Sequence, residues 1–167
     1  MAKGSPVCVE VGVTEWYDSS LVSKDCYVPP PIDSEPWYSD ITMVDRSYKS
    51  VMEDGWLPKF EESEEDLLKR ADLVLAKLIK VNKDYDLAIV SHAPCLLAFA
   101  LSMAGEEPSS HTLNPSTLGS VTCFVKEEGK RMFKAEYQNK TSHLSGDAKY
   151  GIGGWMLPCL EKNDVNL

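Results

Sequence analysis

The stretch that decides the fold lies at residues 62–105 and reads ESEEDLLKRADLVLAKLIKVNKDYDLAIVSHAPCLLAFALSMAG. Its first part predicts an amphipathic helix over residues 63–81, because apolar side chains recur at three- and four-residue spacing. The apolar stripe consists of Leu67, Leu68, Ala71, Val74, Leu75, Leu78 and Ile79. Ser63 is a typical N-cap residue, and Asp66 follows it three residues later, as at many helix starts.

The second part of this stretch predicts a short strand, a histidine and another helix. Residues 87–90 are Leu-Ala-Ile-Val, which is apolar on both faces, as in a covered central strand. His92 follows this strand. Residues 94–104 predict a helix, with a proline in its first turn and Gly105 at its end. This core, residues 62–105, therefore alternates helix, strand and helix and predicts an α/β fold.

The N-terminal flank extends this core within a single domain over residues 1–167. Valines at alternate positions predict a strand over residues 7–13. Residues 18–60 are irregular and contain several Pro, Trp and Tyr residues. Such a long irregular segment favours a cap-like insertion over a site, with a short helix at 45–53.

The C-terminal flank predicts one further supersecondary unit, a hairpin over residues 118–137. Residues 118–125 and 132–137 are strand-like and flank a Glu-Glu-Gly-Lys turn, which is typical of an antiparallel pair. The glycine-rich segment 151–155 predicts an ordered loop.

Composition excludes several classes of function. The net charge is −9, with 26 acidic and 17 basic side chains, which argues against binding to nucleic acid. The longest nearly apolar run is too short to cross a bilayer, so we expect no membrane partner. Five widely spaced cysteines without a C-x-x-C pair favour reduced thiols and a cytoplasmic protein. The spacing of the three histidines matches no metal site, and we expect no metal or cofactor.

His92 is the strongest candidate for chemistry. In an open α/β sheet, ligands bind beyond the carboxyl ends of strands, beside the N-termini of the following helices. The unpaired N–H groups of such a helix start favour an anion, and a histidine there can donate to a phosphate oxygen or transfer a proton. The alternative is a histidine that hydrogen-bonds to the backbone at a strand end.

Two side chains near His92, a cysteine and a serine, are weaker candidates for a catalytic nucleophile. Cys95 could be a thiol nucleophile, but no arginine follows at the distance that cysteine phosphatases need, so helix packing is the better interpretation. Ser91 lacks the G-x-S-x-G elbow of serine hydrolases and is better explained as a hydrogen-bonding residue at a strand end.

Several segments together resemble the histidine phosphatase (phosphoglycerate mutase-like) superfamily. Residues 62–98, which include DLAIVSHA at 86–93, are similar to the part of that family that carries its second catalytic histidine. Residues 9–16, VEVGVTEW, resemble its acid segment. Residues 29–37 and 143–155 are similar to regions of the phosphatase domains of ubiquitin-associated, SH3-containing suppressors of T-cell receptor signalling.

The resemblance implies a fold and a mechanism. The fold would be a phosphoglycerate mutase-like three-layer α/β sandwich, a mixed sheet with flanking helices. The activity would be phosphomonoester hydrolysis through a phosphohistidine, which splits one difficult step into two. His92 would contact the phosphate together with the Ala93 N–H, and Glu10 would be the acid/base. Glu15 would more plausibly be a structural carboxylate beside Trp16.

The Arg-His-Gly segment that carries the family's nucleophile is missing from these 167 residues. All three histidines follow serine, and none precedes glycine. We therefore expect an incomplete sandwich that lacks the first, nucleophile-bearing strand. Three interpretations stay open: a truncated phosphatase, inactive in isolation; a pseudo-phosphatase that binds a phosphomonoester, a phosphoprotein or another protein; and an unrelated α/β protein. An uncovered sheet edge would favour self-association.

Overall fold

The computed structural model describes residues 6–19, 43–53, 56–105, 119–130 and 132–144. Within these ranges the chain is a mixed α/β structure with two α-helices and a two-stranded antiparallel sheet, which confirms the predicted class at this level. The elements are α1 (Glu64–Val81), α2 (Ala93–Ala104), β1 (Val121–Lys126) and β2 (Phe133–Lys140), with a short 3-10 turn at Val11–Val13.

Helix α1 confirms the prediction from periodicity. The Ser63 side chain accepts a hydrogen bond from the Asp66 N–H, as the capping signal predicts. One face of α1 packs against α2, and together they form most of the hydrophobic core. The core side chains from the two helices are Leu67, Ala71, Val74, Leu75, Leu78, Cys95, Leu97, Ala98, Phe99, Ala100 and Leu101.

Helix α2 is also confirmed, beginning one residue earlier than predicted. It is capped by Gly105, whose φ of 66° lies in the left-handed region that glycine adopts without strain. A Cβ at Gly105 would lie 2.5 Å from Cε of Met132. This close approach brings the chain just before β2 against the end of α2.

The predicted hairpin is confirmed, with β2 extending to Lys140. Val125 pairs with Lys134 and Lys126 with Phe133, and the turn between them contains Gly129 at a φ of 72°. The register shifts between Val121 and Phe124, so the ladder is irregular where the hairpin opens.

The predicted strand at residues 87–90 is wrong for the described structure. The segment forms no strand, and Val90 is 83% exposed. No main-chain hydrogen bond joins residues 86–91 to another residue that the structure describes. A run of apolar residues can form a buried strand only if other strands pair with it and cover it, and neither of the two described strands pairs with this run.

Two N-terminal predictions are also wrong. Residues 7–13 form a single parallel bridge, Val7 with Val44, followed by the 3-10 turn instead of a strand. Residues 45–53 form turns and bends instead of a helix, because they are tied to the N-terminal segment by bonds such as Asp45 N–H to Val7 C=O at 2.9 Å.

Other predictions lie outside the described residues. These are most of the cap-like insertion, residues 20–42, and the loop at 151–155. No helix in the described ranges is long and apolar enough to cross a membrane.

Candidate functional site

His92 lies between residues 86–91 and the start of α2. It is the N-cap residue of this helix, yet its side chain makes no capping hydrogen bond. The side chain is 58% exposed, and its Nδ1 lies 2.8 Å from Oε2 of Glu15. The ring therefore faces solvent with one nitrogen on a carboxylate, an arrangement that goes beyond backbone capping.

Glu15 is the carboxylate that the fold brings to His92. Its second oxygen, Oε1, accepts a hydrogen bond from the Trp16 N–H at 2.8 Å. Trp16 is buried, and its indole Nε1–H donates to the carbonyl of Glu62 at 2.8 Å. The Trp16 ring thus anchors the chain immediately after Glu15, and both oxygens of the Glu15 carboxylate have defined partners.

Glu10 lies in a different environment. Its side chain is buried, at 8% exposure, and both oxygens accept hydrogen bonds. The donors are Gly12 N–H at 2.9 Å, Tyr48 O–H at 2.7 Å, Ser50 O–H at 2.6 Å and Val51 N–H at 2.8 Å. Burial, and then the bond to Glu10, raise the pKa of Tyr48, so its phenol stays a donor.

These bonds make Glu10 a link between the N-terminal segment and residues 48–51. No hydrogen bond or ion pair within the described ranges joins Glu10 to His92, and the carboxylate in that position is Glu15. The acid/base role of Glu10 stays a prediction from the resemblance. The geometry favours Glu15 for proton transfer with His92.

Ala93 is the first residue of α2, so its amide belongs to the helix's first turn, which has no intrahelical acceptor. The predicted phosphate contact at this amide is therefore compatible with the geometry. Ser91 donates a hydrogen bond through its hydroxyl to the Val13 carbonyl. Ser91 is therefore a hydrogen-bonding residue, as predicted, although residues 87–90 form no strand before it, and its bond holds the residue before His92 against Val13.

Cys95 is buried in the core, and its thiol donates to the Thr14 carbonyl at 2.7 Å. Burial raises the pKa of Cys95 to about 11, which keeps it a neutral thiol at physiological pH. The geometry favours the packing interpretation of Cys95 over that of a nucleophile.

A buried ion pair supports the segment that carries Glu15. Arg70 on α1 pairs with Glu62, and its guanidinium also contacts the main chain of residues 12–15. Burial would lower the pKa of Arg70, but the hydrogen bonds and charge of Glu62 raise it overall.

Sequence reasoning missed both the Arg70–Glu62 pair and the position of Glu15. The available signal was an arginine beside the apolar stripe of α1, between Leu67 and Ala71. A charged residue at such a position is buried only with a partner.

No group of His, Cys, Asp and Glu side chains in the described ranges could hold a metal ion. No protein-family model, curated protein or solved structure matches the chain.

Proposed function

We propose that this chain binds the phosphate group of a phosphomonoester or phosphoprotein through His92 at the start of α2. The observation that carries the proposal is the 2.8 Å contact between Oε2 of Glu15 and Nδ1 of the solvent-exposed His92 ring. The finer fold that we propose is an incomplete phosphoglycerate mutase-like three-layer sandwich that lacks its nucleophile-bearing strand.

The chemistry of the pair supports this proposal. A carboxylate at 2.8 Å accepts a hydrogen bond from Nδ1–H and forms an ion pair with the ring when the ring is protonated. The imidazolium can then donate from Nε2 to a phosphate oxygen, and the Ala93 amide can donate to the same group. In a complete phosphatase, this pair could also transfer the proton that the leaving oxygen needs.

The absence of an Arg-His-Gly segment from these residues favours binding over turnover. In the family that the chain resembles, the histidine of that segment forms the phosphohistidine, whereas the histidine at the position of His92 contacts the phosphate. We therefore propose a pseudo-phosphatase for the chain in isolation. Hydrolysis would require a nucleophile from outside the 167 residues.

The test of binding is calorimetry with inorganic phosphate and with phosphotyrosine. We expect His92→Ala to weaken binding about tenfold or more, because hydrogen bonds to charged groups contribute about 1.5–3 kcal/mol. The matched control is His143→Ala, since His143 is exposed on the hairpin side and contacts the Gly119 carbonyl. Equal affinities for wild type and His92→Ala, with a normal melt, would refute the proposal.

The test of turnover uses p-nitrophenyl phosphate and the same proteins. We expect no hydrolysis by the 167-residue chain above the background rate. Hydrolysis by wild type that disappears in His92→Ala would show that the chain is an active phosphatase and would refute the pseudo-phosphatase proposal.

A further inference from the structure

Arg70 makes more hydrogen bonds than any other side chain among the described residues, and these bonds link Glu62 to the main chain of residues 12–15. The residue is 5% exposed, and its Nε and Nη2 each lie 2.7 Å from a different oxygen of Glu62. Glu62 is itself 4% exposed. A two-bond contact of this kind fixes the plane of the guanidinium as well as its position.

The remaining donors of Arg70 bind three carbonyls of one short segment. Nη1 donates to Gly12 at 3.0 Å and to Thr14 at 3.1 Å, and Nη2 donates to Glu15 at 3.1 Å. These bonds and the two to Glu62 use all five N–H groups of a guanidinium. Arg70 therefore has no donor left for a ligand.

Apart from the Glu62 carboxylate and the Cys95 sulfur, which lies 3.7 Å from Nη2, the contacts of Arg70 end on main-chain carbonyls. Arg70 therefore acts on the Glu15 side of the site by holding the backbone. One of those carbonyls belongs to Glu15, whose carboxylate lies 2.8 Å from His92. We infer that Arg70 is the positioning residue of the Glu15–His92 pair; this inference rests on the proposed function of that pair.

The planar fork of arginine is essential to this role. A lysine at the same position would keep the charge and could still pair with Glu62, but its compact ammonium cannot reach three carbonyls in fixed directions. Arg70→Lys should therefore release residues 12–15 and loosen the contact between Glu15 and His92.

The test is the tautomer of the His92 ring, measured by ring ¹⁵N chemical shifts at pH 9. A carboxylate on Nδ1 favours the Nδ1–H tautomer in wild type. We expect Arg70→Lys to lose most of this preference and to approach the shifts of Glu15→Gln. In the Glu15→Gln background, Arg70→Lys should change the shifts no further.

Arg46→Lys, in an exposed turn, is the matched control, and His143 is the internal control in every spectrum. A merely structural role for Arg70 would lower the melting temperature and leave the His92 tautomer unchanged in the folded variant. That result would overturn the inference. If Arg70→Lys has no cooperative melt, Glu62→Gln decides by the same readout, since it keeps the arginine but replaces one acceptor oxygen with a donor.

The tautomer readout contains no phosphate, so the two hypotheses fail separately. A chain that binds no phosphate but shows the expected shifts would refute the proposed function and support Arg70 as the residue that positions the pair. If Arg70→Lys binds phosphate as well as wild type and keeps the wild-type tautomer, the proposed function would be supported and the positioning role of Arg70 refuted.

Discussion

At the scale of single residues, Cys95 should make stability depend on alkaline pH. Burial raises its pKa from 9.0 to about 11 in the folded protein. The neutral thiol therefore contributes about 3 kcal/mol to the free energy of unfolding. This contribution is fully present below pH 9 and is lost as the pH rises from 9 to 11. Urea unfolding of wild type and Cys95→Ala at several pH values between 8 and 11 gives the free energy of unfolding as a function of pH. We expect this curve to fall more steeply for wild type than for Cys95→Ala. Parallel curves for the two proteins would contradict the prediction.

Thr14 offers a second residue-scale prediction. Its Oγ1 is buried and has no hydrogen-bond partner among the residues that the structure describes. A buried hydroxyl without a partner costs about 1–3 kcal/mol, and valine has nearly the same shape. Thr14→Val should raise the free energy of unfolding by about 1 kcal/mol in urea titrations. Thr122→Val is the control, because that hydroxyl accepts from the Asn139 N–H and its removal should bring no gain.

At the scale of elements, the 3-10 turn fits against α1 with no room for a side chain at Gly12. A Cβ there would lie 2.5 Å from Cγ2 of Val74. Overpacking of this kind costs about 1–3 kcal/mol, so Gly12→Ala should lower the free energy of unfolding by that amount. Adding Val74→Ala should recover part of this loss in a double-mutant cycle. Strictly additive effects would show that the turn moves away instead.

The helices could be predicted from the sequence, because helix periodicity and caps are local in the chain. The N-terminal strand was predicted wrongly, because a strand depends on pairing with residues far away in the sequence. The periodicity of α1 and the Ser63 cap lie within 19 residues of sequence, and both are present. The valines at 7–13 have the right pattern, but a strand also needs a partner along its length, and among the described residues only Val44 pairs with this segment.

In the candidate site, too, the features set by local sequence could be predicted and those set by long-range contacts could not. The position of His92 before a helix could be predicted from local sequence. The choice between Glu10 and Glu15 could not, because it depends on contacts made across the fold. Glu10 is bonded to Tyr48 and Ser50, and Glu15 is held by Arg70, 55 residues away in the chain.

At the scale of the whole molecule, the exposed apolar residues of segment 86–91 predict self-association. Val90 and Leu87 are exposed, and the main chain of 86–91 bonds to no other described residue. An apolar segment whose main-chain N–H and C=O groups are unpaired can pair with the same segment of another chain, as an exposed sheet edge does. We expect sedimentation velocity to show concentration-dependent oligomers, and Val90→Lys to shift them to monomer because a charge blocks apolar pairing.

The matched control for this last prediction is Val81→Lys, which places the same charge on an exposed valine at the end of α1. It should associate like wild type, because a helix terminus presents no row of unpaired main-chain groups. If Val81→Lys disrupts the oligomer as strongly as Val90→Lys, net charge and not strand pairing governs association. If the wild-type chain stays monomeric at all concentrations, residues 86–91 do not pair between copies.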